Sequence, residues 1–172
     1  MKYLLFSIAT LLCTGVSSSK PTTSAPLADV EAIKDILNTA CVDMVNGKID
    51  GTTWYFQPDI IVYDIVPPLI SNAETVKEGN RHWHSVIEGP FSCKYEDIQV
   101  RMLGAKHAFT GSIIYVHAKL KAGGTFALRM RSTDIWQKTK NGWRAIHEHT
   151  SVPFDPATEK GLFTLPLVPP KG

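Results

Sequence analysis

From Val30 to Met44 the apolar positions recur at helical spacing: Val30, Ile33, Ile36, Leu37, Cys41 and Met44. That spacing predicts a helix with one buried stripe. Asp29 is placed to cap its start, and Asn46-Gly47-Lys48 to end it, with Gly47 suited to a left-handed C-cap. Trp54-Tyr55-Phe56 and a turn at Gln57-Pro58-Asp59 follow, then the β-branched run Ile60–Val66, which Pro67-Pro68 stops. Ser71-Asn72-Ala73-Glu74 has the form of a capping box and opens a second helix through Val76, Trp83 and Val86 to Gly89-Pro90. After Pro90 the period changes to that of strands. Tyr95–Leu103, His107–Leu120, Thr125–Lys138 and Trp143–Val152 read as strands, parted by turns at Gly104, Gly123-Gly124 and Asn141-Gly142. Helices followed by a meander make an α+β layout, with a curved antiparallel sheet packed on the N-terminal helices. A helix across a curved sheet leaves a conical pocket between them, suited to a small molecule.

The chain has 172 residues, 44% hydrophobic and 20% charged, enough for one domain with a substantial core. Its net charge of +2 comes from scattered Lys and Arg, so the basic stripe that nucleic-acid binding needs is missing. Residues 1–19 have the pattern of a secretory signal peptide: Lys2, an apolar run from Tyr3 to Val16, and Ser17-Ser18-Ser19 for cleavage. Cys13 follows Leu11-Leu12, whereas a lipobox has a small residue just before its cysteine. The expected product is secreted or periplasmic, with no stable membrane insertion after cleavage. Residues 20–27 read as a linker, 28–155 as the domain, and 156–172 as a Pro-rich tail lying on the domain or on a partner. Cys41 and Cys93 could pair in an exported chain, or Cys41 could pack as a small hydrophobe on its helix.

The richest chemistry lies in Trp143–Asp155, WRAIHEHTSVPFD. Simple alternation puts Ala145, His147, His149 and Ser151 on one face, and Ile146, Glu148, Thr150 and Val152 on the other. Two imidazoles on one rigid face form a titratable pair. If that face is inward, His147 and His149 flank the pocket; in the alternative reading one of them is a structural hydrogen-bonder and Glu148 is solvated on the outer face. Asp64 stands inside an apolar strand, where an unpaired carboxylate is costly; it either faces the pocket or, near the strand end, caps the backbone of the Pro67 turn. Asp134 shares a face with Ser132 and Trp136, opposite Arg131, Thr133 and Ile135. Its other reading is an edge acid paired with Arg131 or Lys138, and Arg131 is also a possible partner for Glu148. Tyr115 and His117 share a face of the long strand and are candidates for the pocket floor. His-x-His with a carboxylate is also a zinc pattern, but no metal or other cofactor is expected. His82 and His84 are two apart on a helix and do not share a face. The chain has no Ser/His/Asp triad, P-loop or dinucleotide fingerprint.

Taken together, Tyr55-Phe56-x-Pro58-Asp59-Ile60-x-Val62-Tyr63-Asp64-x-x-Pro67-Pro68, Trp83, Arg131-x-Thr133-x-x-Trp136 and Trp143-x-x-x-His147-Glu148-His149-x-Ser151-Val152-Pro153 resemble a known group. This is the SnoaL-like, ketosteroid-isomerase-like branch of the nuclear transport factor 2-like superfamily. The resemblance covers residues 28–155 and speaks for fold more than for reaction. It implies a cone-shaped fold, a pocket on the inner sheet face and a homodimer. It places Asp64 where the isomerase has its general base, and Asp134 near the isomerase's oxyanion-hole acid. Trp83 and Trp54 stand where the family lines its cavity, though core packing is the better reading for Trp54. The isomerase's helix tyrosine is replaced by Ala40, which argues against steroid isomerase chemistry. Tyr63 or Tyr115 could supply a donor instead.

Two functions stay open. One is an exported acid–base enzyme of isomerase, cyclase, dehydratase or hydrolase type acting on a small apolar organic ligand, with Asp64 as base and Asp134, His147 and His149 assisting. Tyr63, Trp83, Tyr115 and His117 would contact the ligand. The other is a non-catalytic dimeric module that binds a ligand or partner through the same residues. Fold does not decide between them.

Overall fold

The computed structural model describes residues 27–167; the signal-peptide expectation lies outside them. Helix α1 spans Leu27–Val45 and buries Ile33, Ile36, Leu37, Ala40 and Cys41 on one stripe. Asp29 lies within its first turn and does not cap it there. Its carboxylate accepts from Lys138 Nζ at 2.6 Å and Trp143 Nε1 at 3.0 Å, tying the helix to the far end of the sheet. Gly47 ends this region at φ 71°, the left-handed conformation read from the sequence. Helix α2, Ala73–Val86, is capped by Asn72, whose side chain accepts from the N–H groups of Glu74 and Thr75, both at 3.0 Å. Ser71 instead pairs its backbone with Val62.

The strands are β1 Phe56–Tyr63, β2 Ser92–Met102, β3 His107–Lys119, β4 Thr125–Thr139 and β5 Gly142–Ser151, in the order β1-β5-β4-β3-β2. β2 to β5 form the antiparallel meander that the Gly turns predict. β1, however, pairs with β5 in parallel, so the sheet is mixed. No hairpin joins β1 to β5, so turn geometry does not dictate their direction. β1 also starts earlier than expected, at Phe56, and includes Pro58. At a sheet edge the missing N–H of Pro58 leaves no ladder bond unmade.

One irregularity determines where the chemistry lies. Along the β4–β5 ladder Ile135 faces His147, yet Trp136 faces Ala145. Ile146 is therefore an extra residue, a β-bulge, and the inward phase of β5 changes across it. Trp143 and Ala145 point inward before the bulge; Glu148 and Thr150 point inward after it. The inner face packs Trp136, Trp143, Ala145, Val62 and Tyr55 against Ile33 and Leu37 of α1. A second cluster, Ile87, Phe91, Ile114, Val116 and Ala118, closes the other end. Cys41 of α1 and Cys93 of β2 form a disulfide with Cα atoms 5.4 Å apart, fastening the helix to the sheet. After β5 the chain makes a small hairpin, β6 Phe154–Asp155 with β7 Lys160–Gly161. Phe163 then accepts from Arg129 N–H at 2.7 Å, beside β4 beyond the end of β5.

Candidate active site

A cleft between the helices and the inner sheet face has two parts. The outer chamber, about 660 Å3, is lined by Ile65, Val66, Trp83, Phe126, Leu128 and other largely apolar groups. The inner recess, about 130 Å3, reaches Tyr55, Tyr95, Glu148 and Thr150. Met44, Asp64, Val76, Asn80, Val116 and Met130 border both, so Asp64 stands where chamber meets recess.

The acids come from three strands or strand ends. Asp64 follows β1. Its Oδ1 accepts from the Ile65 N–H at 2.6 Å and from Thr150 Oγ1 at 3.1 Å. Glu148 of β5 is half-buried in the recess, and Tyr55 Oη donates to its Oε2 at 3.4 Å. Asp134 of β4 is the direct cross-strand neighbour of Glu148 and has no exposed surface. Thr110 Oγ1 donates to its Oδ2 at 2.6 Å, and Ser132 Oγ to its Oδ1 at 3.4 Å. Trp136 Nε1 in turn donates to Thr110 Oγ1 at 3.0 Å.

This grouping changes the acidities. Burial pushes the Asp134 carboxyl up to about 6, against the opposing bonds from Thr110 and Ser132. Burial raises Glu148 well above the ordinary glutamate range; repulsion from Asp134 and Asp64 adds to this, and the Tyr55 bond opposes it. Burial likewise raises the phenols of Tyr55 and Tyr95, which stay neutral. Among the described residues no Lys, Arg or His lines the recess.

The sequence-derived candidates divide into two groups. Asp64, Asp134 and Trp83 lie at or beside the cleft. His147, His149, Tyr63, Tyr115 and His117 do not, because each points to the outer sheet face. For the two histidines the cause is the bulge at Ile146. Outside, Tyr63 packs edge-on against His147 and His149 at 5.2 and 6.1 Å, and His147 Nδ1 bonds the Ile61 carbonyl at 2.9 Å. Tyr115 lies under the Arg129 guanidinium at 4.5 Å, on the side away from the cleft. Trp54, expected in the core, is 43% exposed under Arg144. Arg131 is exposed and pairs with neither Asp134 nor Glu148, while Lys138 bonds Asp29. His84 bonds the Met44 carbonyl at 2.7 Å, and His82 lines the outer chamber. Among the described residues no group of three or more His, Cys, Asp or Glu could hold a metal ion.

Alternation alone misses Glu148 and gives no reason to choose Tyr55 or Tyr95. One signal was present: from Trp143 to Val152 the apolar residues switch from odd positions, Trp143 and Ala145, to even ones, Ile146 and Val152. Such a change of phase within a strand marks a bulge.

A comparison with curated proteins gives no match. Solved structures share the fold. A nuclear transport factor 2-like protein of unknown function from Pseudomonas putida KT2440 aligns at TM-score 0.70 and 21% identity, over 82% of this chain and 97% of that one. A candidate scytalone dehydratase from Novosphingobium aromaticivorans DSM 12444 aligns at 0.65 and 13%, over 72% and 83%. A candidate dehydratase of the nuclear transport factor 2-like family from Streptomyces avermitilis aligns at 0.61 and 15%, over 73% and 97%. At these identities the likeness is one of fold. The SnoaL-like domain family matches residues 33–155, most of the domain that carries the cleft and its three acids, and the chain belongs to that family.

Proposed function

We propose that this protein is an exported acid–base enzyme that eliminates water from, or isomerises, a small apolar organic molecule. The observation that carries the reading is the placement of Asp64 where an apolar chamber meets the recess that Glu148 lines. Asp64 acts only as acceptor in its two hydrogen bonds, as a general base would. Glu148, made less acidic by its surroundings, is suited to give a proton. In an elimination Asp64 takes a proton from carbon, the C–H electron pair forms the new double bond, and the C–O bond breaks. Glu148 protonates the departing oxygen, which leaves as water. In an isomerisation Asp64 takes the proton from one carbon and returns it to another, while Glu148 hydrogen-bonds the carbonyl oxygen on which the enolate charge develops. The apolar chamber excludes water and holds the ligand body. The dehydratase names of two structures with this fold agree with such chemistry.

The reading includes export and a homodimer. The leader-like residues 1–19 support export, and the Cys41–Cys93 disulfide suits an oxidising compartment. Exposed Ile61 and Tyr63 on the outer sheet face support contact with a second copy.

The test is deuterium exchange into bicyclic apolar ketones such as 2-decalone in heavy water, read by mass spectrometry, with binding followed separately by ligand-detected NMR. Wild type should accelerate exchange, and Asp64→Asn should abolish it without unfolding. A protein that binds the ketone yet exchanges nothing is a binding module, and the enzymatic reading falls. Exchange undiminished in Asp64→Asn removes Asp64 as the base.

A further inference from the structure

Asp134 plays no direct part in the chemistry above, because it is sealed beneath the recess. We propose that Asp134 is a positioning residue that keeps a single shared proton on Glu148, so that the recess accepts ligands ending in a neutral hydroxyl or carbonyl and turns away anionic ones. This rests on the reading of Glu148 as proton donor.

The direction of the hydrogen bonds carries the argument. An indole N–H can only donate, so Trp136 uses a lone pair of Thr110 Oγ1. The hydroxyl hydrogen of Thr110 is then free to point at Asp134, 2.6 Å away. Ser132 approaches the other oxygen. Asp134 is thus surrounded by donors and held as an acceptor, the role of a carboxylate. Its neighbour across the ladder, Glu148, cannot also ionise cheaply at that distance and depth.

Every other titratable group facing Glu148 is acidic: Asp64 at the end of β1, Tyr55 before β1, Tyr95 on β2 and Asp134 on β4. Among the described residues no cationic side chain lines the recess, so a proton is the positive charge that settles among these acids. Tyr55 occupies Oε2 of Glu148, so the second oxygen presents the proton to the cleft. A carboxylate or phosphate entering the recess would meet these acids with nothing to neutralise it, whereas a hydroxyl or carbonyl oxygen would receive a hydrogen bond.

The experiment is a pH titration of the disulfide-bonded chain with 13C-labelled side-chain carboxyls, followed by NMR. In wild type the Glu148 signal should titrate well above the ordinary glutamate range and share its curve with Asp134 in two steps. Asp134→Asn should move the Glu148 midpoint down towards that range. Should Asp134→Asn fail to fold, Glu148→Gln supplies a second readout: the upper step vanishes and Asp134 titrates in a single step that stays at about 6, because a protonated Glu148 adds no charge beside it. A Glu148 already ionised at neutral pH in wild type, a Glu148 midpoint unmoved in Asp134→Asn, or two steps persisting at Asp134 in Glu148→Gln would overturn the proposal. Calorimetry with 1-naphthalenemethanol and 1-naphthoate at neutral pH tests the ligand class. The alcohol should bind roughly tenfold tighter or better, the scale of one like-charge contact in a partly screened site. Equal or tighter binding of naphthoate overturns that half. Coupled titration without ketone exchange would remove the enzymatic reading and leave the shared proton standing. Exchange without coupling would do the reverse.

Discussion

Asp134→Asn is also a stability experiment with a calculable sign. The carboxyl lies at about 6 in the folded chain against an ordinary 3.8. A raised acid favours folding while it holds its proton and loses that advantage as pH climbs through the folded value. Its contribution is therefore complete below 3.8 and gone above about 6. At 1.36 kcal/mol per pH unit, the loss is about 3 kcal/mol. Glu148, raised by the same burial and by Asp134 itself, changes stability in the same direction at higher pH. Asparagine has almost the same shape and no charge, and it still offers an acceptor to Thr110. Urea unfolding of both proteins at about pH 4 and about pH 8 cancels most other titrations. The stability of Asp134→Asn relative to wild type should rise by about 2.5 kcal/mol between the two conditions, because the unfolded carboxyl is already partly ionised at the lower one. A relative stability that changes by less than about 1 kcal/mol would show that Asp134 ionises without strain, and the account of the buried acid pair would fail.

Further outcomes test other parts of the site. Glu148→Gln should lower the rate of ketone exchange by about 10²–10⁴-fold, whereas His147→Ala and His149→Ala should leave it within a few-fold, because the imidazoles lie on the far side of the sheet. A large loss in either histidine variant would contradict that placement. Replacing Cys41 and Cys93 together by Ser should cost about 4 kcal/mol in urea unfolding, the chain-entropy value for a crosslink spanning 52 residues; an unchanged midpoint would show that the bond does not constrain the unfolded chain. Size-exclusion chromatography with light scattering should give the mass of two chains. A monomer at micromolar concentration would remove the second copy from the proposal.

Much of the fold is legible because it depends on local rules. The stripe Ile33–Ile36–Leu37–Cys41 needs no tertiary knowledge to read as a buried helix face. The turns at Gly123-Gly124 and Gly142, all with positive φ, mark strand ends in the sequence itself. What was hidden depends on long-range partners. The parallel union of β1 with β5 joins segments some 85 residues apart, as Ile61 with His147 shows, and no turn announces it. The orientation of Glu148 depends on one extra residue in a ladder with β4, and alternation counted along β5 alone cannot register it. Asp134 was readable because it shares an unbroken alternation with Trp136, a residue too large and apolar to face solvent. Tyr55 and Tyr95 converge only after the sheet has curved and brought β2 opposite the start of β1.

The bond between Arg129 N–H and the Phe163 carbonyl bears on how this protein avoids open-ended strand addition in solution. β4 outruns β5, whose last partner is Arg131 paired with Ser151, and would otherwise present bare amide and carbonyl groups there. An unpaired strand edge invites addition of another chain's strand. The segment after the small hairpin bonds that edge at Arg129, so it serves as a guard against misassembly there. Chains shortened after Asp155 would keep the cleft and lose that guard.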